Sequence, residues 1–445
     1  MCACKSALPS ISLQRPLPLV YFIPWTVNML EHDPRLAGLV AAVAAGGAVI
    51  FWLCRSDPRE PPVISSGIPF VGHLINLLWE GAGYFSRLDT RYHLGLYTLP
   101  ILGRKLYIVN SPQWAMAMHR CRGLHLNPIF LSALPQLGGL DKEAMSILQQ
   151  NALNELGDGS GPLLETEAAI KAAFRHDTDD LNGKFLQCYT PFIKKLQSCM
   201  SDQTIPLWQW LRHAFSIASA TVFYGPQAPF ALEASLADDF WYFADRLTHV
   251  ALVPSAVRGV AFRQTVQSHE RVIEAMVKYF ESEGERQAST IVQRRAQIDY
   301  RSGMTKKMHG RNEMSFLFAI LINTVPVTFW LLSYAFSDQD LLRQLRAEVD
   351  NCVTSEPGKK TRILHVDRLK DYCSLLNSVM RETERFSATL NINRIVTEDT
   401  QIRNHGTGQS YLLKKGNLVT VAANAIHFQS EVVSSPRHPQ SAAME

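Results

Sequence analysis

Charged residues are scarce in this sequence, and its cysteines follow no recognisable ligand or disulfide pattern. Asp, Glu, Lys and Arg make up 19% of the 445 residues, below the roughly 25% usual in soluble domains, so part of the chain is expected to contact something other than water. The eight cysteines lack both zinc-site spacing and disulfide-scaffold density. The net charge of +4 is too small to favour nucleic acid as a partner. With 47% hydrophobic residues, the chain is expected to fold around a large core.

An uncharged run near the N-terminus, residues 36–54, predicts a membrane-spanning helix. Its 19 residues, LAGLVAAVAAGGAVIFWLC, would form a helix about 28 Å long, close to one hydrocarbon thickness. Ala and Gly make the run only weakly apolar, so a buried helix or a signal sequence is the alternative. Pro18 and Pro24 interrupt the preceding apolar stretch, which weakens the signal-sequence alternative. Basic residues flank the run on both sides and leave its orientation open.

The rest of the chain divides into a connector and a long globular body. Residues 55–72 contain four prolines, which hold the backbone extended, and we interpret this segment as a tether between the membrane helix and the body. The N-terminal tail is placed at 1–35, the globular domain at 73–430, and a divergent, unstructured tail at 431–445.

A long apolar segment, residues 312–336, predicts the central helix of the globular body. The sequence NEMSFLFAILINTVPVTFWLLSYAF is apolar on nearly every helical face, which is typical of a helix through the middle of a large domain; the alternative is a second membrane span. Asn323 and Thr324 lie beside Pro326, whose ring removes a backbone hydrogen bond and is expected to open the helix locally. These two polar side chains are therefore candidates for contact with a cofactor or substrate.

Three further patterns predict local structure. Residues 94–112 alternate apolar and polar positions about a central glycine, which predicts a β-hairpin. The basic segment 294–311 is interpreted as a solvated loop between helices, with a docking patch for an acidic partner as the alternative. Ser337, with Asp340 three positions later, predicts a capping box at the start of a new helix.

Glu382 and Arg385 stand three residues apart on a predicted helix, where they can form an ion pair. Such a pair is common on surface helices, but its place in the order of elements is more specific. A hairpin, a long apolar helix with Asn-Thr-x-Pro, a capped helix, the Glu-x-x-Arg helix and short strands follow one another. In this order the sequence resembles the haem-thiolate monooxygenases of the cytochrome P450 superfamily. The segments NTVPVTFW and ETERFSATLNINR most resemble the class containing sterol 7α- and 12α-hydroxylases and prostacyclin synthase.

The resemblance implies a mainly α-helical P450 fold with small β-sheets, C-terminally truncated and carrying one N-terminal transmembrane helix. It also implies roles for individual residues. Thr324 matches the threonine that helps to hold oxygen and relay protons, and Asn323 stands where most members have an acid, although an amide cannot donate a proton as an acid does. Glu382 and Arg385 match the pair that braces the haem-side core. Arg394 matches the arginine that binds a haem propionate, a contact suited to guanidinium.

The same resemblance implies the cofactor, partners and location. Haem b is the expected cofactor, and NADPH-cytochrome P450 reductase the expected electron donor. The expected location is the endoplasmic reticulum membrane, with a single membrane pass and a cytosolic catalytic body. The expected substrate is an apolar, sterol- or terpenoid-like molecule of specialised metabolism, because the almost wholly apolar central helix would line an apolar pocket.

One part of the family's pattern is not found in this sequence, namely the cysteine loop that provides the axial thiolate of the haem iron. The loop reads Phe-x-x-Gly-x-x-x-Cys-x-Gly, whereas Cys373, the last cysteine, precedes the Glu-Arg pair, and Cys121 lacks the surrounding frame. Because the chemistry depends on that thiolate, two readings follow. The sequence belongs to a monooxygenase lineage and has lost its end, or it is a catalytically inactive remnant or interaction protein. We expect no thiolate-type band in a carbon-monoxide difference spectrum.

Overall fold

A 32-residue helix, Lys306–Ser337, forms the axis of the fold, and other elements pack around it. The computed structural model describes residues 57–428, without 69–70, 82, 102–103, 177–178, 200–203, 254, 356–361 and 388–390. The N-terminal tail, the membrane helix and the C-terminal tail of the sequence analysis lie outside the described residues, so they stay predictions.

Helices account for most of the described chain. They are α1 (Gly72–Glu80), α2 (Gly83–Tyr92), α3 (Pro112–His119), α4 (Asn127–Gly138), α5 (Lys142–Leu148), α6 (Pro162–His176), α7 (Leu181–Cys199), α8 (Leu207–Tyr224), α9 (Pro229–Leu232), α10 (Ser235–Ala244), α11 (Leu247–Leu252), α12 (Ser255–Ala261), α13 (Arg263–Glu281), α14 (Thr290–Arg301), α15 (Lys306–Ser337), α16 (Gln339–Asp350), α17 (Val366–Tyr372), α18 (Ser374–Ser387) and α19 (Ala423–His427), with a 3-10 turn at Gly284–Gln287.

The described strands form one five-stranded sheet and two short ribbons. They are β1 (Leu96–Ile101), β2 (Arg104–Val109), β3 (Leu124–His125), β4 (Val353–Ser355), β5 (Arg362–Leu364), β6 (Ile392–Val396), β7 (Thr400–Arg403), β8 (Ser410–Leu413) and β9 (Leu418–Val421). The large sheet has the order β1-β2-β9-β6-β3, while β4 pairs with β5 and β7 with β8. The β2–β9 pair is parallel and the others are antiparallel. A mainly helical fold with small sheets is therefore confirmed.

The β-hairpin that the alternating pattern predicted is confirmed as β1 and β2. Leu96 pairs with Val109, and the antiparallel register continues to Ile101 and Arg104. Its core-facing side chains are fully buried, and Tyr107 is among them. Because β2 also pairs with β9, the hairpin and the last described strand belong to the same sheet.

Helix α15 is buried over residues 312–317, whereas most of residues 318–337 are half-buried or exposed. Its N-terminus is capped by Thr305, whose hydroxyl accepts a hydrogen bond from the backbone N–H of Met308 at 3.2 Å. It continues past Pro326 and packs against α4, α8, α13 and α18. By length and composition alone it is also apolar enough to cross a membrane, and 28% of its most apolar window is buried. Neighbouring helices pack on several of its sides, so the central-helix interpretation and the membrane-span alternative both stay open.

Two local predictions from the sequence are wrong. The cap of α16 is Asp338 and not Ser337: the Asp338 carboxylate accepts hydrogen bonds from the N–H groups of Asp340 and Leu341, and Ser337 ends α15. The basic segment 294–311 is not a loop, because its first part belongs to α14 and its last part to α15. The helix extends into this segment because the apolar side of α14 packs onto the core.

The described part of the proline-rich segment lies against the large sheet. The Glu60 carboxylate is almost fully buried and accepts hydrogen bonds from Lys105 Nζ and Tyr107 Oη, both at 2.7 Å. The backbone N–H of Ile64 donates to the carbonyl of Thr98 at 3.0 Å. The segment therefore fixes where the chain enters the globular body.

Candidate functional site

Asn323 and Thr324 lie on an exposed stretch in the middle of α15. The Thr324 hydroxyl donates to the carbonyl of Ile320 at 2.5 Å, and the Asn323 amide donates to the carbonyl of Ala319 at 3.0 Å. These bonds return to the preceding turn of the same helix, as is usual for short polar side chains within helices. Both polar side chains therefore lie on an exposed side of α15, which we call its open side.

Glu382 and Arg385 form the ion pair that their spacing predicted. Arg385 Nη2 lies 2.5 Å from Glu382 Oε1, and Arg385 Nε donates to Glu382 Oε2 at 2.8 Å. The hydrogen bond from Arg385 holds the pKa of Glu382 below its ordinary value. Arg385 Nη1 also donates to the carbonyl of His427 at 2.6 Å. Arg385 thus links α18 to α19. The role of the pair as a brace of the haem-side core stays a prediction.

Arg394 is held on strand β6 at the wall of a cavity. The strand pairs with β9, where Arg394 stands opposite Val419. Its Nη1 donates to the carbonyl of the adjacent Asn393 at 2.9 Å. The guanidinium is thereby fixed in direction, with further N–H groups available for a carboxylate.

The cavity that Arg394 lines has a volume of about 510 Å³, within the ~300–1,000 Å³ range of small-molecule sites. It lies between the segment around β3, helices α4 to α6, helix α14 and the N-terminal half of α15. Ten of the nineteen lining residues are apolar and nine are polar or charged. The lining residues are Leu124, His125, Leu126, Asn127, Phe130, Leu148, Ala152, Leu153, Asn154, Pro162, Leu163, Leu164, Thr166, Glu167, Ile170, Arg295, Asn312, Ser315 and Arg394.

A buried ion pair stands behind one wall of this cavity. Arg295 of α14 donates through Nε to Glu313 Oε1 of α15 at 2.6 Å, and Tyr224 of α8 donates to Glu313 Oε2 at 2.9 Å. Glu313 is 0% exposed and Arg295 6%. Burial lowers the pKa of Arg295, but Glu313 and Asp299 raise it more, so it stays above its ordinary value. Burial, and then the Glu313 carboxylate, raise the pKa of Tyr224. Arg295 therefore stays charged in the interior.

A second carboxylate, Asp299, and His309 lie beside this ion pair. His309 Nδ1 lies 2.6 Å from Asp299 Oδ2, and Asn312 Nδ2 donates to the same oxygen at 3.0 Å. His309 Nε2 lies 3.9 Å from Glu313 Oε1, beyond hydrogen-bond distance, and has no hydrogen-bond partner among the described residues. We call these five residues, Arg295, Asp299, His309, Asn312 and Glu313, the α14–α15 polar cluster.

The structure brings only some of the predicted site residues together. Arg394 lines the cavity, whereas Thr324 and Asn323 lie farther along α15 and do not line it. Glu382 and Arg385 lie on α18 and contact α19 instead.

Sequence reasoning missed the α14–α15 polar cluster. The signal was present, because Arg295 and Asp299 fall at i+4 and i+8 from Ile291, on the apolar stripe of α14. A basic residue at such a position indicates a buried ion pair rather than a solvated loop.

The described residues meet only part of what haem binding requires. The Arg394 guanidinium suits a propionate, but Thr324 and Asn323 do not line the cavity that Arg394 lines. The described cysteines lie elsewhere: Cys121 packs beside the sheet, Cys188 packs against the helical core, and Cys352 and Cys373 are buried with their sulfurs 3.7 Å apart. None of these four lines the cavity. The described donor set therefore does not supply an axial thiolate.

Comparison with known proteins identifies one family. The family model described as Cytochrome P450 matches residues 242–438. The chain is 28% identical over 388 residues to cytochrome P450 monooxygenase nodJ of Hypoxylon pulicicidum, covering 86% of this chain and 72% of that protein. It is 24% identical over 440 residues to cytochrome P450 7B1 of Mus musculus, covering 93% and 80% respectively. A shorter match, 26% over 209 residues, links it to the 25-hydroxycholesterol 7-alpha-hydroxylase of Rattus norvegicus, covering 46% of this chain and 49% of that protein.

Solved structures share the fold. The cytochrome P450DA heme domain superposes with a TM-score of 0.63 at 17% identity, covering 85% of this chain and 80% of that one. The retinoic acid-bound cyanobacterial CYP120A1 superposes with a TM-score of 0.61 at 14% identity, covering 86% and 81%. At these identities the likeness extends to the arrangement of helices and sheets and not to individual ligands.

Proposed function

Because this chain belongs to the cytochrome P450 superfamily, we propose that it is a membrane-associated, monooxygenase-like protein that binds an apolar molecule of sterol or terpenoid size. The observation that carries this proposal is the 510 Å³ cavity beside the N-terminal half of α15. Ten of its nineteen lining residues are apolar, so burial of a hydrocarbon skeleton against them is favourable, although the two that α15 supplies, Asn312 and Ser315, are polar. Similarity to the 25-hydroxycholesterol 7-alpha-hydroxylase of Rattus norvegicus over 46% of this chain supports a sterol-like ligand.

Membrane association is supported by the surface of the first described helix as well as by the uncharged run 36–54. On α1, Ile75, Leu78 and Trp79 are exposed to 50%, 62% and 89%. Three large apolar side chains on one short helix, close in sequence to a predicted membrane anchor, favour contact with lipid over contact with water. We propose that the protein crosses the endoplasmic reticulum membrane once, through residues 36–54. The tether 55–72 and the globular domain 73–430 would lie in the cytosol.

The family implies haem, which when bound through a thiolate supplies oxygen activation. Of the described residues, Arg394 would pair with a propionate, since its direction is fixed by the bond to Asn393. The accessible hydroxyl of Thr324 and the amide of Asn323 would hold water on the open side of α15, while Glu382 and Arg385 would brace the core beneath it. A reductase on the same membrane would supply electrons. The described residues provide no thiol at this site, so no catalytic step is derived through the haem.

A second candidate function is a haem-free binding or interaction protein with the same fold. It is favoured by the cavity lining, which contains none of the four described cysteines. In that case the cavity would bind its apolar ligand without oxidising it.

Substrate profiling tests the first candidate. The full chain, in membranes with a reductase, would be supplied with matched panels of sterols, terpenoids and small polar molecules, and products would be measured by mass spectrometry. We expect binding and any turnover to be confined to the apolar panels. Turnover of small polar molecules alone would contradict the proposal.

A carbon-monoxide difference spectrum of a chain of these 445 residues separates the two candidates. We expect no thiolate-type band, which would leave the haem-free candidate as the function of this chain. A thiolate-type band would show that one of the cysteines in the sequence reaches the iron, and the monooxygenase candidate would then stand.

A further inference from the structure

We propose that the cavity has a polar subsite at Arg295 that binds a neutral oxygen of its ligand, a hydroxyl or a carbonyl, and rejects a carboxylate. The inference rests on the proposed function, because it takes the same cavity and specifies which polar group its apolar ligand carries. It depends on the contacts and the charge balance of the α14–α15 polar cluster.

Arg295 provides hydrogen-bond donors at the cavity wall. The hydrogen bond that the described residues show for its guanidinium uses Nε, which donates to Glu313 at 2.6 Å. Arg295 is 6% exposed and lines the cavity. Its two Nη groups form no hydrogen bond to another described residue. Its Cζ lies 4.6 Å from the centre of the Phe316 ring, which restricts the plane of the guanidinium. Neither Nη atom is among the fully buried polar atoms that lack a partner in the described chain, so these N–H groups can donate to a ligand oxygen in the cavity without first being exposed.

The charges around Arg295 decide the nature of that oxygen. The guanidinium carries one positive charge, while Glu313 and Asp299 each carry a carboxylate, so these three residues sum to one negative charge. Protonation of His309, which contacts Asp299, would bring the sum to zero and no higher. A ligand carboxylate would therefore enter a site without excess positive charge and would lose its hydration on burial. A hydroxyl or carbonyl oxygen accepts the same hydrogen bonds without that cost.

The other polar residues near Arg295 already donate hydrogen bonds within the protein, so a ligand is expected to form one polar contact here, with Arg295. Asn312 and Ser315 line the cavity beside Arg295, but Asn312 already donates to Asp299 and the Ser315 hydroxyl donates to the carbonyl of Asn312 at 2.7 Å. The other charged lining groups belong to different elements. Glu167 is paired with Lys171 on α6, and Arg394 lies on β6. Specific hydrogen bonding at this subsite therefore comes from Arg295.

Direct binding to the full chain in detergent micelles tests the subsite without any enzymatic reaction. The probes are farnesol, the matching hydrocarbon without its hydroxyl group, and farnesoic acid, each titrated by calorimetry. We expect farnesol to bind at least about tenfold more tightly than the hydrocarbon, as for a hydrogen bond to a charged donor. In the Arg394→Met variant, which removes the other guanidinium of the cavity wall, farnesoic acid is expected to bind no more tightly than farnesol.

Variants then assign the preference to Arg295. R295M/E313Q removes both charges of the ion pair while keeping an oxygen for Tyr224, and it is expected to abolish the preference for farnesol over the hydrocarbon. Arg295→Lys keeps the charge opposite Glu313 but loses the planar fork, and is expected to reduce the preference. The control is Arg301→Met on the same helix, because the Arg301 side chain is 66% exposed and pairs with Glu165 outside the cavity. The control should retain the wild-type preference.

The outcomes separate this inference from the proposed function. Equal binding of farnesol and the hydrocarbon would overturn the subsite and leave the apolar cavity intact. Tighter binding of farnesoic acid than of farnesol in the Arg394→Met variant, or a farnesol preference that survives R295M/E313Q, would also overturn it. Binding of none of the three probes would overturn the proposed substrate class as well.

Discussion

Replacing Glu313 by leucine would leave Arg295 charged in the interior without its partner. Glu313 is 0% exposed, and its two oxygens accept from Arg295 Nε at 2.6 Å and from Tyr224 Oη at 2.9 Å. Removing one partner of a buried ion pair costs about 3–5 kcal/mol, and a buried hydroxyl left without an acceptor costs about 1–3 kcal/mol. Because effects within one network are not additive, we expect Glu313→Leu to lower the free energy of unfolding by about 4 kcal/mol.

The measurement is equilibrium unfolding of the full chain in urea, followed by tryptophan fluorescence. The matched control is Glu382→Leu, which also removes a carboxylate from an arginine pair, but at a position where the side chain is 52% exposed. That change is expected to cost about 1 kcal/mol or less. The triple variant Y224F/R295M/E313L removes the three groups joined by these two hydrogen bonds and leaves Asp299 with His309 and Asn312. It is expected to recover part of the lost stability, since a buried pair is replaced by apolar side chains.

Two results would refute this reasoning. If Glu313→Leu and Glu382→Leu shifted the unfolding midpoint equally, the buried pair would have no special importance for stability. If the triple variant were as unstable as Glu313→Leu alone, the loss would come from packing of the leucine and not from the uncompensated charge of Arg295.

Further predictions concern separate regions of the molecule. Burial raises the pKa of Cys373 to about 11, so iodoacetamide at pH 8 is expected to label it only after unfolding; rapid labelling of the native chain, detected by mass spectrometry, would contradict this. The lowered pKa of Glu382 means that its ion pair contributes stability above the ordinary carboxyl range, and that this contribution disappears as pH falls through the lowered value. Urea midpoints of wild type and Glu382→Gln should therefore converge at acid pH, and a constant difference would exclude the effect. Trp79→Ser should weaken sedimentation with liposomes while Leu232→Ser, exposed to 73% on α9, should not; equal effects would argue against α1 as a lipid contact. Thr324→Ala should change stability by less than about 0.5 kcal/mol, because its hydroxyl bonds only within α15, and a larger loss of the urea midpoint would be inconsistent with its exposed position.

Local patterns predicted local structure well. The hairpin β1–β2 follows from two apolar segments on either side of a Gly-Arg turn, and the pairing of Glu382 with Arg385 follows from helical spacing. The predicted cap of α16 was one residue too early. Ser337 and Asp338 are both good capping residues, and the sequence does not show which of them lies outside the preceding helix.

Features that depend on distant parts of the chain were not predictable in the same way. The run of basic residues in 294–311 suggested a solvated loop, yet Arg295 is buried because Glu313 of another helix neutralises it and α8 covers the pair. The cavity likewise combines residues from β3, α6, α14, α15 and β6. No periodicity in one segment reveals which segments meet, so the candidate site could be foreseen only at Arg394, where resemblance to a family supplied the residue.

The parallel pairing of β2 with β9 has a consequence for synthesis of the chain on the ribosome. Lys105 N–H donates to Asn417 Oδ1 across 312 residues of sequence, and β2 cannot complete its pairing before β9 has been made. At translation rates of about 5–20 residues per second, this strand edge stays open for roughly 15–60 s. An open edge of apolar strands can pair with other chains, so slower initiation or added chaperone should raise the soluble yield more than stabilising the helical core would.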